Sequence, residues 1–386
     1  MPPRIEVKQF YPDKEQISEI RNVIHTSWEH DYRTFGYLYY GLNYLQWLLE
    51  PHHEKSSVMT GAFDSDTDKL VGVNAALPRT ICLNGVEHNS AISTFLSVLP
   101  KYRRSGIGGK LVKTAHEALR EEDIHHNLGF FEPEYNGLKT YQSIKNLHLA
   151  PLFQGRWLAK VINPKEFAKG VDVDSVLKGY LGDKSGFGTD RKKVKGAPSK
   201  SIGFLGQLSG KLVTPSQSVR NIIGNVKKLK NYSNPTIKTI LNDLNSHSKS
   251  LPLARCWSER ELRWHLTCPI SHNLIIRGKD DRIKGFVNYM IFKIKSVRVV
   301  KYAWLDNIYL EKTTPTESQA LLFSATADAI NEGCSAMIAP TLRYFKDSIV
   351  RTNGFLPYGR RFELWVSSFQ PIDEWKATNK CYIDVR

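Results

Sequence analysis

The chain repeats itself, and this limits its fold more than any other feature. Leu45-Gln46-Trp47-Leu48-Leu49, then Pro51, returns as Leu262-Arg263-Trp264-His265-Leu266, then Pro269. Lys69-Leu70-Val71-Gly72-Val73-Asn74 returns as Arg282-Ile283-Lys284-Gly285-Phe286-Val287-Asn288. In each copy a glycine interrupts a β-prone run, the mark of a kink or a close backbone approach. Ser93–Pro100 parallels Tyr302–Leu310, and helical patterns follow at Gly109–Glu121 and Ser318–Asn331. One such match is within reach of chance. Four in the same order imply a duplicated α/β unit.

Composition agrees with two globular units. The chain has 386 residues, enough for two cores. With 41% hydrophobic and 24% charged residues, a disordered, collagen-like or coiled-coil chain is excluded. No apolar run approaches the length of about 18 residues that a spanning helix needs. The opening MPPRIEVKQFYPDKEQ has no apolar h-region, so a secretory signal is not expected. Cys82, Cys256, Cys268, Cys334 and Cys381 are odd in number and form no CxxC. Neither a disulfide framework nor a cysteine-rich zinc site is expected, and a reducing cytoplasm fits.

Each half reads as strand and helices, then an antiparallel meander, a helix, a strand at Asn127–Phe131 or its counterpart, a short helix and a last strand. Asn84-Gly85 is a hairpin signal inside the first meander. The fold class is therefore α/β, with two tandem mixed-sheet domains and flanking helices. Expected boundaries are 1–165 for the first domain, 166–245 for a connector and 246–386 for the second domain.

The net charge of +16 is concentrated in the connector, where Lys184 to Lys230 holds 11 basic residues against Asp190 alone. One reading of 184–230 is a basic amphipathic segment on an anionic membrane surface. The other is a solvated loop with a helix packed on a domain, favoured because Gly203, Gly206, Gly210 and Pro215 interrupt any long helix. The Arg191–Lys195 run has no aromatic platform or recognition motif beside it, which argues against nucleic acid.

The segment from Pro100 to Leu111, PKYRRSGIGGKL, carries the chemistry. An apolar strand enters and an amphipathic helix leaves. Ser105, Gly106 and Gly108 let backbone amides approach a ligand, and a helix N-terminus offers unpaired N–H groups. Arg103 and Arg104 add charge. The pattern is a pyrophosphate cradle, and neither a P-loop nor G-x-G-x-x-G.

These residues, Val98-Leu99-Pro100-Lys101-Tyr102-Arg103-Arg104-Ser105-Gly106-Ile107-Gly108, match the signature [Q/R]-x-x-G-x-[G/A] preceded by V-x-P-x-[YF]. The chain thus resembles the GCN5-related N-acetyltransferase (GNAT) superfamily, over roughly residues 5–160 and more weakly over 250–370. The resemblance implies acetyl-CoA as co-substrate. Its pyrophosphate would lie on the backbone of Arg103, Arg104, Ser105, Gly106, Ile107 and Gly108, and its pantetheine arm along Leu96, Ser97 and Val98. The layout resembles bacterial double-acetyltransferase-fold proteins, many of them in cell-envelope pathways. The second half departs from the signature. Leu310–Gln319 holds no glycine and places Glu311 and Glu317 where an anion would sit, so that copy reads as degenerate, either one wall of the acceptor site or plain support.

Amine acetylation needs a base near the thioester and an acid for the departing thiolate. The fourth strand of the fold here, Ser93–Leu99, has no carboxylate, only Thr94 and Ser97 as polar candidates. Glu132 is the preferred base, with Glu134 second. In the family pattern N-x-x-A-x-x-x-Y, Asn136 fits and Tyr141 is the candidate acid, although it falls a turn early. His25, Trp28, Glu29, His30, Asp31 and Tyr32 are candidates to line the acceptor site. The histidines at 52–53 and 125–126 lie in or near loops, and no H-E-x-x-H pattern suggests a metal. The aromatic run Tyr37 to Tyr44 reads as a packing face of a helix, with sugar stacking as the alternative.

The leading function is acetyl transfer to a small-molecule or glycan amine by direct attack in a ternary complex, in the cytoplasm, with a peripheral membrane contact through 184–230 as an option. No cysteine is placed as a nucleophile. Two alternatives stay open: an aminoacyl transferase on the same tandem fold, and a non-catalytic acyl-CoA-binding module.

Overall fold

A computed structural model describes residues 3–32, 36–50, 53–132, 136–170, 215–230, 232–279, 282–296 and 298–383. The Arg191–Lys195 run and the rest of 184–214 lie outside the described residues, as do Glu134 and His52.

The first half runs β1 (Ile5–Gln9), α1 (Lys14–Asp31), β2 (Tyr37–Leu38), α2 (Leu42–Leu49), β3 (Val58–Asp64), β4 (Lys69–Leu83) and β5 (Val86–Val98). It continues with α3 (Ile107–Glu121), β6 (His126–Phe131), α4 (Asn136–Gln142), β7 (His148–Val161) and α5 (Pro164–Gly170). The second half runs α6 (Gln217–Ile223), β8 (Val226–Lys228), α7 (Asn234–Lys249), β9 (Leu253–Cys256), α8 (Glu259–Leu266), β10 (Ser271–Arg277) and β11 (Ile283–Lys295). It ends with β12 (Val299–Tyr309), α9 (Pro315–Asn331), β13 (Ala336–Pro340), α10 (Asp347–Thr352) and β14 (Leu356–Ser368).

Local chemistry explains the boundaries. Asp13 caps α1 through a capping box with Gln16. Asn84 and Gly85 both take positive φ, 50° and 84°, the turn that matches strand twist between β4 and β5. The run from Tyr37 to Tyr44 is not one helical face. Its first residues pair with β11, Leu38 opposite Ile294, and the helix begins only at Leu42. Within the stretch read as a connector, β8 pairs with β10 and α7 buries Ile237, Ile240 and Leu244. The second half thus draws its own edge strand from that stretch, as the first half draws β1.

One sheet joins the halves, in the order β1-β3-β4-β5-β6-β14-β7-β13-β12-β11-β10-β8. Its centre is an exchange. The last strand of the second half, β14, lies between β6 and β7, with Leu364 opposite both Phe130 and Phe153. The last strand of the first half, β7, lies between β14 and β13, with Ala159 opposite Ile338. Gly155 faces Phe362 across the β7–β14 pair, where a Cβ would come within 2.2 Å of that ring. One apolar cluster therefore includes Ile92, Leu128 and Phe153 from the first half and Val287, Leu305 and Leu364 from the second.

The repeated tryptophans meet each other. Trp47 and Trp264 stack with centroids 4.0 Å apart and planes 7° from parallel. Trp47 Nε1–H donates to the Trp264 carbonyl at 3.2 Å, and Trp264 Nε1–H to the Trp47 carbonyl at 3.0 Å. Each copy of the motif thus makes the same contact with the other, as residues do across a two-fold interface.

A second tie corrects the cysteine reading. Strands β4 and β9 pair with Thr80 opposite Cys256 and Cys82 opposite Ala254, and Cys82 and Cys256 form a disulfide. Their sequence separation of 174 hides this pairing from any spacing rule. Cys268, Cys334 and Cys381 are free and buried. Among the described residues no helix is long and apolar enough to cross a membrane.

Two outcomes follow. In β14, Phe362, Leu364 and Val366 are 0–1% exposed, and burying each is worth about 1.5–3 kcal/mol. Set against a typical total of about 5–15 kcal/mol, their loss is decisive. Residues 1–170 expressed alone should show no cooperative melt by circular dichroism, and co-expression with 215–386 should restore one. Replacing Cys256 by Ser should lower stability to denaturant by about 2–4 kcal/mol. The same loss should follow reduction of the wild type, and reduction should not alter the variant.

Candidate functional site

The site forms where two parallel strands part. Strands β5 and β6 pair only from Ser90 opposite His126 to Ser93 opposite Gly129. Beyond Ser93, β5 keeps β4 on one side, with Ser97 opposite Val73 and Val98 opposite Gly72. Its other edge over Leu96–Val98 faces the gap. A bulge sharpens the divergence, because the β4–β5 register slips between Val73 and Ala75 and Phe95 takes φ +65°. That conformation is strained for an aromatic residue. Its ring is packed against Tyr40 at 5.2 Å and Trp28 at 6.5 Å.

The turn after β5 presents amides. A single 3-10 turn at Pro100–Tyr102 leads to Arg104 at φ +63° and Gly106 at φ +77°. Gly106 is the N-cap of α3 and supplies no side-chain cap. The first-turn N–H groups are left for a ligand, at the positive end of a 15-residue helix. A Cβ on Gly106 would meet no atom within 4 Å, so what a side chain there would meet first is the strain of φ +77°. A Cβ on Gly108 would come within 3.2 Å of Thr140, which shows how closely α3 lies on α4.

The two arginines differ. Arg104 is exposed and lines the cavity. The Arg103 guanidinium turns inward instead. It makes a two-pronged pair with Asp31 at 2.6 and 3.0 Å and donates to the Ser27 and Val98 carbonyls. It ties the end of α1 to the cradle. Ser105 Oγ–H closes the turn by donating to the Tyr102 carbonyl at 2.6 Å.

The matching position of the second half is filled by its own side chains. Thr314 caps α9, accepting from the Glu317 N–H at 3.2 Å, and Glu317 accepts from the Thr314 N–H at 2.7 Å. Lys284 donates to the Glu317 carboxylate at 2.6 and 2.8 Å. Burial pushes the pKa of that carboxyl up, but the Lys284 and Thr314 hydrogen bonds outweigh it and hold it below the ordinary value.

Where the strands part, three polar side chains converge. Asn127 Nδ2–H and Tyr141 O–H both donate to Ser93 Oγ, at 2.8 and 2.9 Å. With its oxygen accepting twice, the Ser93 hydroxyl has its own proton to give. Tyr141 is 2% exposed, packs on Phe131 at 5.1 Å, and is pushed up to about 12, by burial and against the opposing pull of Ser93. It is a neutral phenol throughout the physiological range.

A cavity of about 1500 Å³ runs through the gap. Of the residues picked out in the sequence, it brings together Leu96, Ser97, Val98, Arg103, Arg104, Gly106, Ile107, Gly108, Glu132, Asn136 and Tyr141. Thr94, Trp28, His30, Asp31 and Tyr32 also line it, and Ser105 does not. His25 stacks on Tyr39 at 4.2 Å away from the lining and is lowered to about 4, chiefly by burial. Glu29 pairs with Lys295 at 2.9 Å. His126 packs on Trp375 at 4.8 Å, outside the site. Ser93 opens the strand that holds Thr94 and Ser97, and no sequence signal sets it apart from them. Trp157 and Phe362, on the exchanged strands β7 and β14, and Tyr302 and Trp304, on β12 within the repeat segment Tyr302–Leu310, also line the cavity.

The family profile described as an acetyltransferase (GNAT) domain matches residues 12–135. Among solved structures the chain is similar to a Saccharomyces cerevisiae N-myristoyltransferase with bound myristoyl-CoA and inhibitors, at 14% identity and a TM-score of 0.69, covering 95% of this chain and 82% of that one. It is similar to a tandem GNAT protein from the clavulanic acid biosynthesis pathway, at 12% identity and a TM-score of 0.59, covering 96% of this chain and 100% of that one. It is also similar to a GCN5-related N-acetyltransferase from Anabaena variabilis, at 10% identity and a TM-score of 0.52, covering 95% and 73%. At these identities the likeness is one of fold. No curated protein matches the chain.

The Tyr141 environment can be read directly. The ultraviolet titration of wild type minus Tyr141→Phe should show one phenol ionising near 12, not at the ordinary 10. A difference centred at 10 would mean that the hydroxyl is open to water.

Proposed function

We propose, from the premise that this chain is a GNAT-superfamily protein carrying the fold twice, that it is an acyl-CoA-dependent N-acyltransferase with acetyl-CoA as donor and an amine as acceptor. The observation that carries the reading is the uncapped start of α3 behind Gly106. Backbone amides there suit a pyrophosphate, and the unpaired edge of β5 suits an extended pantetheine arm. Arg104, Lys110 and Lys113 line the same mouth with positive charge. The cradle also speaks against an aminoacyl-transfer reading, which needs no pyrophosphate site.

The roles follow from position. Acetyl-CoA, when bound, would supply the activated thioester. Glu132, lining the cavity at the end of β6, takes the proton that the amine loses on forming the amide. Tyr141, through Ser93, supplies the proton taken up by the departing sulfur. A phenol raised to about 12 holds its proton at neutral pH, as a general acid must. Arg103 acts at one remove, fixing the loop to α1.

Calorimetry tests the reading. Wild type should bind acetyl-CoA at one site per chain. Gly106→Glu should abolish binding, because glutamate would be strained at φ +77° and would put bulk and negative charge in the cradle. Tyr141→Phe should keep acetyl-CoA affinity and lower kcat by about 100-fold. A folded wild type that binds no acetyl-CoA would overturn the reading.

A further inference from the structure

The gap between β5 and β6 closes at Ser93, the last residue of β5 paired with β6. Val98, where β5 ends and the cradle loop begins, lies five residues further on. That is about 17 Å of extended strand, a span that an extended pantetheine arm also covers. An acyl-CoA with its pyrophosphate on the α3 amides would therefore bring its sulfur to the closed end, where Ser93 is partly exposed and lines the cavity. The Ser93 hydroxyl is held from behind. Tyr141 O–H and Asn127 Nδ2–H both donate to its oxygen, and its own proton meets no acceptor among the described residues. Turning the Tyr141 bond round would leave the phenol proton without an acceptor, at a residue only 2% exposed.

Asn127 is held in turn. It is 1% exposed and lies behind the cavity lining. Its carbonyl accepts from Ser367 Oγ–H at 3.0 Å, and His116 Nε2 lies 3.1 Å from the Ser367 oxygen. With the Ser367 proton committed to Asn127, His116 is the donor. Burial lowers His116 to about 4, so its ring is neutral. One buried hydrogen-bonded line thus runs from α3, the helix that starts at the cradle, through β14 of the second half and β6 to Ser93 on β5. We infer that Ser93 is the side chain that meets the sulfur of the acyl donor. Asn127 is a positioning residue: with Tyr141 it fills both lone pairs of the Ser93 oxygen and leaves the proton aimed into the gap. This rests on the acyltransferase reading and adds to it a contact at the sulfur and a residue that sets it.

CoA itself is the probe, titrated into the full chain. A folded wild type that binds no CoA would overturn the acyltransferase reading and this inference together. Where CoA binds, the thiolate absorbance of its complex, less that of the desulfo-CoA complex, follows the ionisation of the bound thiol. A hydroxyl donating to the sulfur favours the thiolate, so the thiol should ionise at least about one pH unit below its ordinary value of about 8.5. Glu132, a carboxylate lining the same cavity, pushes the other way. Ser93→Ala should return the thiol to its ordinary value or above, although Asp31, Arg103, Arg104, Lys110 and Lys113 of the lining stay in place, and Ser93→Thr should restore the shift. Asn127→Leu should give a smaller rise in the wild type and none in Ser93→Ala, a pattern that a merely structural role would not produce. The Ser93 comparison stands whether or not Asn127→Leu folds. CoA bound with its thiol the same in wild type and Ser93→Ala would overturn the inference and leave the acyltransferase reading standing. So would a fall in Asn127→Leu, since the amide would then be taking the Ser93 proton instead of freeing it.

Discussion

The structure depends on the exchange of β7 and β14. Without it, each half would end in a strand beside its own penultimate strand, and the halves could separate. With it, β14 completes the first half and β7 the second, and one hydrophobic cluster serves both. The stacked Trp47–Trp264 pair and the β4–β9 contact repeat the tie on other surfaces. Because parts of the second half lie inside the first, its residues reach the gap between β5 and β6 and wall the cavity there.

Duplication left two helix starts with opposite chemistry. The α3 terminus is open, with a glycine at positive φ, no side-chain cap, and positively charged side chains around it. The α9 terminus is closed by Thr314 and Glu317, with Lys284 neutralising the carboxylate. The same backbone element starts without a side-chain cap in one copy and is self-capped in the other. The change turns on a few side chains, because the amides and the dipole belong to every helix. The second copy then contributes surface to the cavity that its partner's cradle opens.

Local patterns were the legible part. The meander, the Asn84-Gly85 turn, the helix after the cradle and the small residues of the cradle are set by neighbours in sequence, and each lies where its pattern puts it. Arg103 shows where that reading stops. Its position in the motif is plain, but its guanidinium turns to Asp31, 72 residues away, and only the packing of α1 decides this. Ser93 was hidden for a similar reason, since its role comes from Asn127 and Tyr141 arriving on other elements.

The sequence by itself determined that there are two copies of an α/β unit, that one copy has a glycine-rich turn at its helix start and the other does not, and roughly where their helices and strands fall. These follow from periodicity, turn residues and glycine placement, all short-range. The tertiary structure alone decided the strand exchange, the Cys82–Cys256 pairing and the aromatic residues that line the cavity. Each joins residues far apart along the chain, 174 apart for the cysteines. Strand order and side-chain convergence depend on which buried surfaces fit together, and that leaves no periodic trace in the chain.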